Sequence, residues 1–164
     1  MNPQQFLNAV KELQDGLRRF LLALCCGDSS RADDLAQEAL IKAYLGIGTL
    51  KNQEMMKSWL YRIAYRCFID SARRAVLNLD ISEAAGMTAD RSTEADSNFR
   101  YQELHRALRQ LGPRDRSVII LFYFEGYSTS EIAQMTGATD AAVRKQLSRG
   151  RTELKKYLKN FHNE

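Results

Sequence analysis

Cysteine, histidine, proline and tryptophan are all scarce in this chain of 164 residues, which has three Cys, two His, two Pro and one Trp. Cys25, Cys26 and Cys67 are too few and too badly spaced for a disulfide frame or a four-ligand zinc site. An odd count with one adjacent pair reads instead as reduced, mostly buried thiols of a cytosolic protein. His105 and His162 stand far apart, so there is no HExxH pair, and neither a Gly-Lys-Ser/Thr loop nor a G-x-S-x-G elbow occurs. Gly46-Ile47-Gly48 lacks the third glycine of a dinucleotide fingerprint and reads as a loop. No run approaches the ~18 uninterrupted apolar residues of a membrane span. Nor does MNPQQFLNAVKELQD place a basic stretch before an apolar core, as a signal peptide would. Metal, nucleotide and nucleophile chemistry all lack their parts. The expectation is a cytoplasmic protein that is no enzyme, with no catalytic residue, metal, cofactor or small-molecule substrate.

What is present is charge, unevenly placed. The net charge is only +4. Residues 1–79 hold 11 basic and 8 acidic side chains (+3), residues 80–99 one and five (−4), and residues 100–164 twelve and seven (+5). The middle stretch, DISEAAGMTADRSTEADSN, has few large apolar residues and no sustained periodicity, so it cannot offset the entropy of ordering. It reads as a flexible acidic linker between two domains, 1–79 and 100–164. A solvated loop inside one domain is the alternative.

Both flanking blocks read as helical. Phe6, Val10, Leu13, Leu17, Leu21 and Leu24 recur three or four apart, giving an amphipathic helix that ends near Gly27. Ser30-Arg31-Ala32-Asp33 resembles a capping box opening a second helix. Leu35, Ala39, Leu40 and Ala43 of that helix face inward. A polar loop from Gly46 to Lys57 follows, and Ser58 can cap a third helix running to about Arg74. In the second block, Leu104, Leu108 and Leu111 form a stripe ending at Gly112, and Pro113 suits the first turn of the next helix. That helix carries VIILFYF, apolar enough to be the core of its domain. Ser128 to Glu131 forms a capping box for a short helix, and Thr139-Asp140 opens the last. The fold class is all-α: a helical bundle, then a four-helix domain.

The last two helices carry the strongest signal. Ala133, Gly137 and Val143 are spaced as a helix-turn-helix requires: a small residue for close approach, a glycine for a left-handed turn, a β-branched residue between the helices. Arg144, Lys145, Arg149, Arg151, Lys155 and Lys156 follow on the helix that would enter a major groove. Arginine can bridge guanine O6 and N7, and either cation can neutralise phosphates. A helical hairpin with a solvated basic face is the plainer alternative. The helix SWLYRIAYRCFIDSARR is the second unusual element. Leu60, Ile63, Ala64, Cys67 and Phe68 form an inward face, while Tyr61, Arg62, Tyr65, Arg66 and Arg73 cluster opposite. Exposed rings beside cations suit single-stranded nucleic acid, with bases stacking on the rings. Tyrosines capping a core would give the same pattern.

These residues together resemble the extracytoplasmic-function (ECF) sigma factors of the sigma-70 family, small bacterial initiation subunits with two helical domains. The resemblance rests on Asp33-Asp34-Leu35-Ala36-Gln37-Glu38, Trp59-Leu60-Tyr61-Arg62-Ile63-Ala64, Ile69-Asp70 and Arg73-Arg74 in the first domain. In the second it rests on the stretch Leu108 to Arg116, Glu131-Ile132-Ala133, Gly137, and Val143 through Arg151. It implies that Asp34, Gln37, Glu38 and Ile41 contact core RNA polymerase. It further implies that Trp59, Tyr61, Arg62, Tyr65, Arg66 and Arg73 melt the start-proximal promoter element. The Gly46–Lys57 loop would hold a flipped-out base. Arg144, Lys145, Ser148, Arg149 and Arg151 would meet the upstream element as duplex DNA. Promoter DNA, core RNA polymerase and an anti-sigma factor are the implied partners, in the bacterial cytoplasm.

Three departures from the family pattern bear on this. Arg66 stands where Asn is usual, Ala141-Ala142 replaces a common Gly-Thr, and Gly150 replaces a usual Ala. A mid-helix glycine costs roughly 1 kcal/mol against Ala. Gly112 sits inside the usual Leu-Pro and only shifts a turn. The competing reading of the whole chain is a stand-alone helix-turn-helix regulator with an N-terminal dimerisation or sensing domain.

Overall fold

The computed structural model describes the backbone of residues 1–79 and 97–162 and the side chains of 1–78 and 102–159. Among these residues seven α-helices follow one another: α1 (Pro3–Leu24), α2 (Ser29–Leu45), α3 (Met56–Leu79), α4 (Ser97–Arg109), α5 (Pro113–Tyr123), α6 (Thr129–Thr136) and α7 (Asp140–His162). No strand occurs among the described residues. The acidic stretch expected as a linker lies outside the described residues as far as 96. Its last three positions, 97–99, belong to α4.

The helix boundaries follow local chemistry. Asn2 caps α1 reciprocally: its side chain accepts from the Gln5 N–H at 2.8 Å, and its own N–H reaches Gln5 Oε1 at 2.9 Å. Pro3 occupies the first turn, where a missing N–H costs nothing. At the other end Cys26 (φ 53°) and Gly27 (φ 89°) turn left-handed and release the chain. The α2 cap is not Ser30, as its box suggested, but Asp28, whose carboxylate accepts from the Arg31 N–H at 3.1 Å. A carboxylate beside the positive end of a helix is the stronger acceptor. Ser58 does not cap α3 either; the helix starts two residues earlier, behind a 3-10 turn over Gln53–Met55, and Ser58 Oγ donates to the Met55 carbonyl at 3.1 Å. Helix α3 also continues beyond Arg74 to Leu79.

Helices α1–α3 form the first unit. Ala32, Ala39, Ala43 and Ala64 are fully buried, and these small side chains let the three helices approach closely. Phe20 and Phe68 fill the space between them. Helices α4–α7 form the second, around Leu108, Val118, Ile119, Ile120, Leu121, Ile132 and Val143. The VIILFYF run is only partly core: Tyr123 and Phe124, at its end, stand half exposed. Gly150 has a reason the sequence did not show. A Cβ there would lie 2.7 Å from Ile119 Cγ1, so the glycine lets α7 cross directly against α5. The two units also touch. Arg116 and Arg109 of the second donate to the Leu24 and Cys26 carbonyls of the first at 2.8 and 3.1 Å, and Lys57 lies 3.8 Å from Glu125.

Candidate nucleic-acid interface

The helix-turn-helix forms as its spacing requires. Ser128 accepts from the Glu131 N–H, and Glu131 accepts from the Ser128 N–H, both at 3.1 Å, which fixes the start of α6. Gly137 ends it in the left-handed region at φ 74°, and its N–H returns to the Ala133 carbonyl. Thr139 then caps α7 by accepting from the Ala142 N–H at 3.1 Å. Val143 and Leu147 are buried against the neighbouring helices. Consequently Arg144, Lys145, Ser148, Arg149 and Arg151 are all exposed on α7. Three of these arginines are held by their own domain. Arg144 Nε lies 2.7 Å from Asp140, Arg149 Nη2 lies 3.0 Å from Asp115, and Arg151 Nη1 donates to the Tyr123 hydroxyl at 3.1 Å. The half-exposed Tyr123 thus has a polar partner on the basic helix.

On α3 the structure corrects the expected face. Arg62, Arg66 and Arg73 are exposed, and Trp59 is half-buried. Tyr61 and Tyr65 are not exposed beside them: they retain 1% and 4% of their accessible surface. Tyr61 stacks on Phe20 with ring centroids 4.8 Å apart and an interplanar angle of 15°. Gly16 makes room for it, since a Cβ there would lie 2.8 Å from the Tyr61 hydroxyl. Burial pushes the Tyr61 phenol well above its ordinary range, with Glu125 adding to the shift. Tyr65 is covered from the second unit, near Arg114; burial raises its phenol while Arg114 opposes the shift. Tyr65, Arg66, Ile69, Asp70, Arg73, Arg114 and Thr136 line a shallow cleft where the units meet. The sequence pattern could not separate these tyrosines from Arg62 and Arg66, because a three-helix unit covers more of α3 than one stripe.

The loop before α3 is built from two tight turns. Thr49 Oγ1 donates to the Gly46 carbonyl at 2.7 Å, and Asn52 accepts from the Glu54 N–H at 3.0 Å. Nothing crowds Gly48, and Gly46 lies beside the Trp59 ring.

Helix α2 presents a third surface. Asp34, Gln37 and Ile41 are exposed and Glu38, paired with Lys42 at 2.9 Å, is half-buried. Ile41 keeps 61% of its surface and Leu45 78%, with Tyr44 also outside. Tyr44 and Leu45 were not singled out from the sequence. The signal was there: both continue the outward face of Ile41 at helical spacing.

Cys25, Cys26 and Cys67 are buried and free, as their number and pattern suggested. Burial pushes the Cys25 thiol up to about 12, so it is held protonated. No cluster of metal-ligating side chains and no helix long and apolar enough to cross a membrane occurs among the described residues.

A capped helix-turn-helix with a basic second helix, beside a separate helical bundle, defines a nucleic-acid-binding protein of two helical units. Residues 9–76 match the family Sigma-70 region 2, and residues 101–154 match Sigma-70, region 4. The ECF RNA polymerase sigma factor SigM of Mycobacterium tuberculosis is 30% identical over 139 residues, covering 84% of this chain and 69% of that protein. The RNA polymerase sigma factor YlaC of Bacillus subtilis is 32% identical over 139 residues, covering 81% and 80%. In fold, the chain is similar to the sigma factor RpoE of Bartonella quintana, solved with the anti-sigma factor NepR. That match has a TM-score of 0.76 at 24% identity, over 95% of this chain and 98% of that one. The chain belongs to the ECF sigma factors of the sigma-70 family, non-catalytic proteins that direct promoter-specific transcription.

Proposed function

We propose that the chain docks on core RNA polymerase through the outer face of α2, reads the upstream promoter element as duplex with α7, and opens the start-proximal element with α3. The observation that carries this is the presence in one chain of two unlike surfaces. One is the exposed cationic face of α7 over a well-formed helix-turn-helix. The other is the uncovered apolar strip of Ile41, Tyr44 and Leu45 beside Asp34, Gln37 and Glu38. Cations on a recognition helix serve DNA, whereas an apolar strip rimmed by acidic and amide groups suits a protein surface.

The labour divides between the unit of α1–α3, which docks and melts, and the unit of α4–α7, which reads the duplex. On α3, Arg62, Arg66 and Arg73 would track the displaced strand, with Trp59 and the Gly46–Lys57 loop beside an extracted base. Extracting a base costs a few kcal/mol, which stacking and a shaped pocket must offset. Tyr65 could join them only after the second unit moves off α3, while Tyr61 belongs to the core of the first. Bond-making stays with the polymerase, so no residue of this chain needs catalytic chemistry. RpoE was solved with the anti-sigma factor NepR, and CnrH with the cytosolic domain of CnrY. By likeness, this chain is held inactive by an anti-sigma factor in the bacterial cytoplasm.

The test mixes the purified chain with core polymerase and a library of promoter fragments. Specific transcripts that depend on the chain are expected. Transcription independent of the chain, together with tight binding of the chain alone to a palindrome, would instead favour the stand-alone regulator.

A further inference from the structure

Asp140 is the acidic residue in the first turn of α7. Its carboxylate is divided between two elements. Oδ1 accepts from Ser130 Oγ in the first turn of α6 at 3.5 Å, and Oδ2 lies 2.7 Å from Arg144 Nε, one turn along α7. The Arg144 side chain is nevertheless 72% exposed, so the contact directs it without covering it.

The geometry of the guanidinium makes this consequential. Arginine offers planar donor edges that match paired acceptors. With Asp140 paired at the Nε side, the edge formed by the two Nη groups donates to no protein acceptor among the described residues. That edge fits the O6 and N7 acceptors of guanine. Arg149 differs, because there it is Nη2 that is committed, to Asp115. An unheld arginine on this surface would turn to the nearest phosphate, which carries no sequence information. A carboxylate at the DNA-facing start of the helix also repels phosphates and weakens binding to every sequence. As an exposed ion pair one helical turn apart, it adds little to stability. Its place in the first turn of α7 adds a modest stabilisation through the helix dipole, a contribution that does not depend on Arg144 and leaves the pairing itself unexplained.

We propose that Asp140 is a specificity-determining positioning residue, which holds Arg144 as an ion partner and directs its outer edge at one guanine of the upstream element. This rests on the reading of α7 as the duplex-binding helix.

The test uses polymerase holoenzyme assembled with wild type, Asp140→Asn, Ser130→Ala or Arg144→Ala. Each is challenged with promoters whose upstream element is randomised, over a range of salt concentrations. Wild type should favour guanine at one position. Asp140→Asn keeps the size of the side chain and an acceptor for Ser130. It should lose about tenfold of that preference, bind all other sequences as tightly or more so, and steepen the salt dependence by up to about one phosphate equivalent. Ser130→Ala should act in the same direction but less, and Arg144→Ala should flatten the same position. Uniform weakening of Asp140→Asn on every sequence would make Asp140 a structural cap and overturn the proposal. So would an unchanged preference. If wild type selects no upstream element at all, the duplex reading of α7 fails, and this inference falls with it.

Discussion

Arg116, in the first turn of α5, donates through Nη1 to the carbonyl of Leu24, 92 residues away at the end of α1, at 2.8 Å. Its Nε and Nη2 reach the Leu108 and Leu111 carbonyls, each at 2.9 Å. The guanidinium is half-buried, and among the described residues no carboxylate pairs with it. It is satisfied instead by carbonyls at or just beyond two helix ends, where partial negative charge accumulates. Burial lowers its pKa, but arginine remains charged. Arg116→Met should therefore leave three carbonyls short of a donor and cost about 3 kcal/mol in urea unfolding. Arg109→Ala removes only the bond to the Cys26 carbonyl. It should cost about 1 kcal/mol and enlarge the hydrodynamic radius as the units loosen. An unchanged radius would show that Arg109 does not help hold the units together.

Gly150 decides how closely α7 approaches α5. Gly150→Ala would gain about 1 kcal/mol of helix propensity. The added Cβ, 2.7 and 2.9 Å from Ile119 Cγ1 and Cδ1, cannot be accommodated without displacing that side chain. Overpacking of this kind costs about 1–3 kcal/mol, so the net expectation is destabilisation. Adding Ile119→Ala should make the glycine substitution favourable in that background. The two changes would then be non-additive in a double-mutant cycle, because they share one contact.

Tyr61 and Arg62 are adjacent in sequence and opposite in consequence. Tyr61→Ala opens a cavity beside Phe20 and should cost about 3–5 kcal/mol of stability. Arg62→Ala, at an exposed position, should leave the unfolding midpoint within about 0.5 kcal/mol. In holoenzyme, Arg62→Ala should slow promoter opening while leaving duplex binding intact. Equal losses in both steps would remove Arg62 from strand melting.

The helices, the cap of α6 and the left-handed Gly137 were legible in the sequence because each depends on a local pattern of a few residues. The turn that shapes the candidate interface is in that sense written in Ser128, Glu131, Ala133 and Gly137. The burial of Tyr61 and Tyr65 was not legible. One helical face reports which residues point away from a single neighbour, but α3 is covered by α1, α2 and the second unit. The reason for Gly150 was hidden for the same cause: its conformation is ordinary, and only the position of Ile119 on another helix explains it. Pairings across long sequence separations, such as Arg116 with Leu24, leave no periodic trace at all.

His105 makes stability at the junction of the units depend on pH. Its Nδ1 is buried without a partner, and its ring lies against Gly27. Burial lowers its pKa below 6.5, and the neighbouring Arg109 lowers it further. The folded state therefore holds the neutral form, and the unfolded chain takes up the proton first as pH falls. Its contribution is fully present above about pH 6.5 and is lost on acidification below that value. Glu125 has the opposite sign at lower pH, because burial raises its carboxyl above 4.5 and protonation relieves it. Between about pH 8 and pH 5.5, wild type should lose more thermal stability than His105→Phe, which keeps the ring and cannot titrate. Parallel curves for the two proteins would mean that His105 is not the group responsible.

Leu45, with 78% of its surface uncovered at the end of α2, gains nothing from its present surroundings. An apolar side chain so exposed is tolerated singly, but Ile41 and Tyr44 extend it into a strip. Leu45→Glu should leave the unfolding midpoint unchanged to within about 0.5 kcal/mol, since no packing is lost. If the strip docks on core polymerase, the same substitution buries a charge at the interface. Holoenzyme affinity should then fall by at least tenfold, corresponding to about 1.4 kcal/mol or more. Direct titration of labelled chain with core polymerase measures this without promoter DNA. Wild-type affinity in Leu45→Glu would move the docking surface off this face of α2.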